Sequence, residues 1–361
     1  MEEKIINNWE FLSTFFPPGW EGKAKQLKAL TRMRNLKSPG DLLRLLLIHL
    51  GDGCSMREAC ARAKQGGLPH VSAVALFKRL RSSSEWFRWM CLELLKRRGL
   101  PYKPADWLSG YNVKSVDASN VSEPGSTGTD WRLHYSIMLF GLQCDQFIIS
   151  RQGVGESFTN FTVDKGDLYI GDRAYGRLKG LKYVKDNGGH FLARVKNKSF
   201  KIFDDDQKEI NLLDILKGIS IGETIDMQIF ANVGKDEFAM RLCALRKSDD
   251  EAEKAIKKAI RECGKKQRKI NWETIELHRY IILVTSISAE ATANQILELY
   301  RLRWQIEIAF KRLKSILGLG HLPKKDEKSA RAWLHGKLFV ALLAQAIVDE
   351  GRFFPWGYPL L

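Results

Sequence analysis

The sequence predicts an α/β protein: a mixed sheet flanked by helices, interrupted by an insertion and preceded by a helical N-terminal region. Three observations carry that expectation. Hydrophobic periodicity is helical up to about residue 107 and switches to strand-like alternation soon after. Five short apolar runs then follow one another between residues 113 and 195. Finally, 135 positions separate Asp172, at the end of the fourth run, from Glu307, too many for one strand and a connection.

Bulk composition narrows the class. A chain of 361 residues has room for two or three cores, and 44% hydrophobic with 28% charged content is that of a folded domain. The net charge of +16 favours a polyanionic partner, nucleic acid before an anionic membrane. No apolar run reaches the length that crosses a bilayer, Arg44 and His49 interrupting the best early candidate. Met1-Glu2-Glu3-Lys4 does not open an export signal. Six cysteines lie scattered without close pairs, as in a reduced cytosolic protein, and the seven histidines show no ligand spacing, so no structural metal is expected.

In the N-terminal region, Ser38-Pro39-Gly40-Asp41 opens a helix with a capping Ser and a Pro in the first turn. Ser55-Met56-Arg57-Glu58 has capping-box spacing, and its helix stops at Gly66-Gly67 before Pro69. Ser72 begins a third helix carrying Lys78, Arg79 and Arg81. Helix, turn and basic helix suggest a helix-turn-helix that binds DNA, although the turn is longer than usual; a plain helical bundle with a basic surface fits equally.

Next come strands over Val113 to Asp117, Leu133 to Leu139, Gln146 to Ser150, Leu168 to Ile170 and Phe191 to Val195. Asp117 and Asp172 each follow directly on an apolar strand segment, where a sheet edge presents side chains to a ligand; either alone could equally be a turn former. Asp164 and Asp167 precede the fourth strand and are expected to be solvated. Residues 197–280 form the insertion, with strand-like pieces at Thr224 to Phe230 and Phe238 to Leu245 and a charged helix near 250–263. Within it, Trp272 is either a core residue or a platform for an unpaired base. Tyr280 to Val284 returns to the sheet.

The segment Tyr300 to Lys314 contains no Gly or Pro and reads as one helix. At 100° per residue, Tyr300, Arg303, Glu307 and Lys314 share a sector about 60° wide along roughly 21 Å of axis. Spacing alone is also what a solvated i,i+4 pair gives.

The string Tyr300-x2-Arg303-x3-Glu307-x6-Lys314, with Trp304 after the arginine, resembles the YREK motif of DDE transposases of insertion-sequence family four. Val116-Asp117-Ala118-Ser119, Asp172-Arg173-x-Tyr175 and Gly318-Leu319-Gly320-His321 strengthen the likeness. The resemblance implies an RNase H-like core in which Asp117, Asp172 and Glu307 are catalytic and hold two Mg2+ ions, with Mn2+ as a substitute. Carboxylates suit that role because two divalent cations about 4 Å apart need hard oxygen ligands. It also implies that Tyr300, Arg303, Lys311 and Lys314 grip DNA, and that the N-terminal residues Lys78, Arg79 and Arg81 do so at the element's ends. The implied division is 1–107 helical and DNA-binding, 108–196 first part of the core, 197–280 a mostly β insertion, 281–340 second part, and 341–361 a short C-terminal helix and tail. The activity implied is cleavage at the ends of an insertion element and joining to target DNA, by a homodimer on double-stranded DNA in a prokaryotic cytoplasm at the nucleoid. The alternative is a shortened DNA-binding regulator of transposition without catalysis.

Overall fold

The computed structural model describes residues 8–33, 35–96, 104–123, 130–140, 143–195, 200–234, 236–265, 267, 269–303 and 326–351. Six helices come first: α1 (Asn8–Thr14), α2 (Trp20–Gln26), α3 (Pro39–Asp52), α4 (Met56–Gln65), α5 (Ala73–Ser82) and α6 (Ser84–Lys96). The predicted caps do their work. Ser38 and Asp41 form a reciprocal capping box on α3, with Pro39 at its start. The Ser55 hydroxyl accepts from the Glu58 N–H at 3.2 Å, while the Glu58 carboxylate turns to Arg62 at 2.7 Å. Ser72 caps α5 in the same way.

Strands β1 (Asn112–Val121), β2 (Trp131–Met138) and β3 (Gln143–Arg151) then form an antiparallel meander. β4 (Asp167–Gly171) returns parallel to β1 on its other side. Helix α7 (Leu178–Asp186) crosses over to β5 (His190–Arg194), parallel to β4. After α8 (Leu212–Leu216) come β6 (Thr224–Val233), β7 (Asp236–Arg246), α9 (Asp249–Lys265), α10 (Trp272–Leu277), β8 (Tyr280–Thr285), α11 (Ala293–Arg301) and α12 (Glu327–Gly351). All eight strands join in one mixed sheet of order β3-β2-β1-β4-β5-β8-β7-β6.

The insertion is therefore not mostly β. Its hairpin β6–β7 extends the main sheet through β8, and α8, α9 and α10 supply at least as much helix as strand. Buried apolar residues on β7, Met240, Leu242 and Ala244, continue the core of the neighbouring strands. That apolar stripe is why the hairpin joins the sheet instead of standing apart.

Strand alternation sorts the core. On one face Val116, Tyr169 and Phe191 pack under Leu181 and Val184 of α7. On the other, Val113, Leu168, Ile170, Leu192 and Leu283 meet Ile296, Leu297 and Leu299 of α11. Further along that second face, Leu133, Tyr135 and Ile137 of β2 belong to the same core as the N-terminal helices and α12. Helix α12 runs unbroken through residue 340 and buries Trp333, Leu338, Phe339 and Leu342 among Phe16, Leu43, Leu46, Phe87 and Met90. Glu327–Val348 is long and apolar enough to cross a membrane by length and composition, contrary to the expectation from sequence, but 56% of it is buried inside the protein. A helix apolar enough to be a core helix passes the same test.

One acid expected in water is not there. Asp167 opens β4, is 1% exposed and receives Lys114 Nζ at 2.8 Å, with Asp145 on the same ammonium at 3.1 Å. Asp164 is exposed as expected.

Candidate active site

Register brings the two aspartates together. β1 and β4 pair in parallel with Ser115 level with Ile170. Two residues further along each strand, Asp117 is level with Asp172, which lies one residue past β4. Adjacent strands lie about 4.8 Å apart, and alternation puts both carboxylates on the face that α11 covers. β5 continues the row: Gly171 pairs with Ala193, so Arg194 is level with Asp172.

The text around Asp172 has a steric reason. A Cβ on Gly171 would lie 2.6 Å from Tyr175 Cβ and 2.8 Å from the Phe158 ring, and one on Gly176 would strike the carbonyl of Arg194. The turn after β4 thus folds tightly back on the sheet, with Tyr175 N donating to the Asp172 carbonyl at 3.1 Å. Asp172 Oδ1 accepts from Ala174 N at 2.7 Å, and Asp117 Oδ1 from Ala118 N at 2.8 Å. Burial raises the Asp117 carboxyl to about 6; the Ala118 N–H opposes this, the Asp172 charge adds to it, Arg303 opposes it and Glu156 adds to it. Flanking Asp117 on the same face, Ser115 and Ser119 are buried with hydroxyls that have no hydrogen-bond partner among the described residues.

Cations gather on the β5 side. Arg173, Arg194, Thr274, Leu277, His278 and Tyr280 line a pocket of about 220 Å3. Burial, then the nearby Arg194 charge, lowers Arg173 to about 10, and its Nε finds no partner among the described residues. Burial lowers Lys247 to about 8, with Arg194 and Arg173 adding to the effect. Sequence reading did not assign Arg194 to the site. The signal was available: it ends the strand beside Asp172, as Asp172 follows the strand beside Asp117.

Helix α11 delivers Tyr300 and Arg303. Its start is capped by the Thr292–Gln295 box and clamped by Arg241 of β7. The Arg241 guanidinium pairs with Asp226 and donates to the carbonyls of Ile287 at 3.0 Å, Ala291 at 2.9 Å and Ser288. Burial pushes the Tyr300 hydroxyl up, while Arg303 and Arg194 pull it down. The Arg303 guanidinium lies 5.7 Å from the Tyr300 ring centroid. The single-helix reading of Tyr300 to Lys314 fails at its beginning. α11 ends at Arg301, Leu302 N bonding to Leu299 O at 3.2 Å and Arg303 N to Tyr300 O at 3.1 Å, so the last bonds are of the tighter three-residue kind. Tyr300 and Arg303 reach the site from a helix end. Glu307, Lys311 and Lys314 lie outside the described residues.

Elsewhere, Lys78 is exposed on α5, Arg79 donates to the Arg32 carbonyl, and Arg81 lies 3.6 Å from Asp326. Trp272 begins α10 and is 60% exposed, not a core residue, with Lys217 Nζ 5.6 Å from its ring centroid.

Asp117 and Asp172 suit a divalent cation by donor chemistry. Each has one oxygen held by a backbone N–H, and no ion pair within 4.0 Å neutralises either among the described residues. Those residues contain no group of three His, Cys, Asp or Glu side chains able to hold a metal, so the pair requires a further ligand.

A pair of acids level with one another on neighbouring strands, fringed by cations, is the site of a phosphodiester-processing enzyme on a mixed α/β sheet. The family model of the transposase DDE domain matches residues 152–343, and the chain belongs to that family. Dependence on a divalent metal and an RNase H-like fold follow from membership, and the order β3-β2-β1-β4-β5 is the corresponding part of the sheet. The putative transposase InsL for insertion sequence element IS186A of Escherichia coli (strain K12) is 29% identical over 358 residues, covering 97% of this chain and 96% of the relative. The transposase for insertion sequence element IS421 of Escherichia coli is also 29% identical, over 359 residues, with the same coverage. The transposase for IS231F of Bacillus thuringiensis subsp. israelensis is 28% identical over 253 residues, covering 63% of this chain and 53% of the relative.

Proposed function

We propose that this transposase binds the double-stranded ends of an insertion element, cleaves phosphodiester bonds there and joins the ends to target DNA, with Mg2+ as the metal and Asp117, Asp172 and Glu307 as its ligands. The observation that carries the reading is the alignment of Asp117 and Asp172 on neighbouring strands beside Arg194. When bound, a pair of divalent cations activates the attacking oxygen and stabilises the leaving one. The chain's own residues do the rest. Asp117 and Asp172 present hard oxygens and, unneutralised, would repel a phosphate. Arg194, Arg303 and Arg173 supply the positive field that draws the backbone in, and Tyr300 donates a hydrogen bond to a phosphate oxygen. Lys311 and Lys314 extend the grip, and Trp272, exposed at the start of the helix whose Thr274 and Leu277 line the Arg173–Arg194 pocket, offers its ring to an unpaired base. Lys78, with Arg79 and Arg81 beside it, contacts the element ends from the N-terminal helices of a DNA-bound homodimer, at the nucleoid of a prokaryotic cytoplasm.

The test is direct. Purified protein, end DNA and Mg2+ should yield cut and joined products, and Asp117→Ala, Asp172→Ala or Glu307→Ala should abolish cutting while leaving end binding intact. Undiminished cutting by any one variant removes that residue from the site. A non-catalytic regulator is not favoured, because relatives named as transposases are matched over 96% of their length.

A further inference from the structure

Helix α5 exposes a face that a solvated surface does not explain. Residues 66–72 join it to α4: Gly67 turns the chain at a φ of 73°, Leu68 N bonds back to the Ala63 carbonyl at 2.9 Å, and Ser72 caps the new helix. Ala59 and Ala63 of α4, Leu76 and Leu80 of α5, and Leu43 and Leu46 of α3 meet in one core. At 100° per residue, Val74, Lys78 and Arg81 share a sector about 60° wide on the side away from Leu76 and Leu80. Val74 is 65% exposed, in the first turn, where a merely solvated face carries polar residues.

A second segment is laid along the same helix. Arg79 donates to the Arg32 carbonyl, the Ser82 hydroxyl to the Ala29 carbonyl at 3.3 Å, and Asn35 Nδ2 to the His70 carbonyl at 3.3 Å. Those bonds hold the backbone of the exposed Arg32 beside α5. Arg79 thus fastens a ridge whose charge Arg32, Lys78 and Arg81 present. Acids do not offset that charge. Between residues 27 and 84 the sequence holds Asp41, Asp52 and Glu58; the first closes the α3 capping box and the other two hold Arg62. Among the described residues, the carboxylate within 4.0 Å of the three ridge cations is that of Asp326, 3.6 Å from Arg81, in an exposed pair that a phosphate can replace.

Given that this transposase binds the ends of its element, a reading on which this step rests, we propose that α5 enters the major groove and reads the end sequence there. Val74 lies against the 5-methyl group of a thymine, while Lys78, Arg81 and Arg32 hold phosphates to either side. The major groove is about 12 Å wide and admits one helix, and the second helix of such a pair sets its N-terminal residues on base edges. An apolar side chain there has one base-specific partner, the thymine methyl, because the other groups on the groove floor are donors and acceptors. Phosphate contacts position the protein without sequence preference, so Val74 is the specificity-determining member of the face.

The experiment is binding of the full chain to an element-end duplex in chelator, followed by fluorescence anisotropy, with each thymine replaced in turn by deoxyuridine. The replacement removes one methyl group and keeps the base pair. For wild type, one such replacement should raise Kd about fourfold, the worth of one buried methyl group. Val74→Ala should bind the thymine duplex more weakly and show no difference at that position. Lys78→Ala should weaken binding to both duplexes alike and make the salt dependence shallower by about one counterion. Wild-type affinity indifferent to every replacement, or a Val74→Ala protein that keeps the full penalty, overturns the methyl contact. If Lys78→Ala is weakened even so, the ridge holds the ends without Val74 reading them. If Lys78→Ala and Arg32→Ala both bind and respond to salt as wild type does, the N-terminal helices are not the end-binding surface. A wild-type chain that does not bind the duplex overturns the end-binding reading itself. Circular dichroism controls for the folding of each variant, and the deoxyuridine scan on wild type needs none.

Discussion

At the scale of single residues, Asp117 carries the clearest conflict between stability and function. Its carboxyl is raised from 3.8 to about 6, chiefly by burial. Protonation is therefore easier in the folded chain than in the unfolded one, and stability falls as pH rises from about 4 to about 6. Above that window the full penalty is present, up to about 3 kcal/mol. Asp117→Asn should accordingly unfold at a higher temperature than wild type at pH 7.5 in chelator, and the gap should close by pH 4. A variant no more stable than wild type at pH 7.5 would show that the carboxylate is better solvated than its burial implies. Both aspartates were legible in the sequence because each follows an apolar run, although Asp117 lies inside β1, which continues to Val121, and only Asp172 comes at a strand end. Arg194 ends one too, but a cation at a strand end is commonplace, and only the register reveals that it stands level with Asp172. Asp167 was misread for the opposite reason: its partner Lys114 lies 53 positions away, and no local pattern announces a buried ion pair of that span.

At the scale of elements, α11 is held from its beginning and used at its end. Arg241 fixes the loop before it through Asp226 and three carbonyls while being only 7% exposed itself. Truncation leaves a carboxylate and several carbonyls without their donor, a loss of about 3–5 kcal/mol. Arg241→Ala should lower the unfolding free energy in urea by that order, and Arg241→Lys should recover little, because an ammonium lacks the planar fork. Full recovery by lysine would mean that charge alone, and not the fork, holds the loop. The end of α11 was illegible because neither Gly nor Pro marks it. An apolar-polar rhythm continues through Leu302, while the backbone already tightens at Arg303. Likewise, the alternation of β6 and β7 identified them as strands, but not that their apolar stripe would enlarge the main sheet.

At the scale of the whole molecule, the first helices and the last belong to one core, together with a face of β1–β3. Residues 1–107 alone would expose Leu43, Leu46, Phe87 and Met90, so that fragment should lack a cooperative thermal transition, whereas the full chain should show one. A cooperative fragment would establish an autonomous N-terminal domain. Sequence reading divided the chain by local period, and local period carries no information about a helix returning from residue 327 to close a bundle begun near residue 8. Acid sensitivity is also a property of the whole. Burial lowers His134 and His278 to about 4 and His335 to about 3. These groups stay neutral when folded but take up protons below about 6.5 when unfolded, so the stability they confer above that pH is lost as pH falls toward 4. The account as a whole turns on one place where distant parts of the chain share a cation. Fe2+ in place of Mg2+, with ascorbate and peroxide, cuts a polypeptide where the metal sits. The account predicts cuts close to residues 117 and 172 in the full-length protein, suppressed by excess Mg2+ and absent in Asp117→Asn. Cuts elsewhere, or cuts at one aspartate without the other, would contradict it.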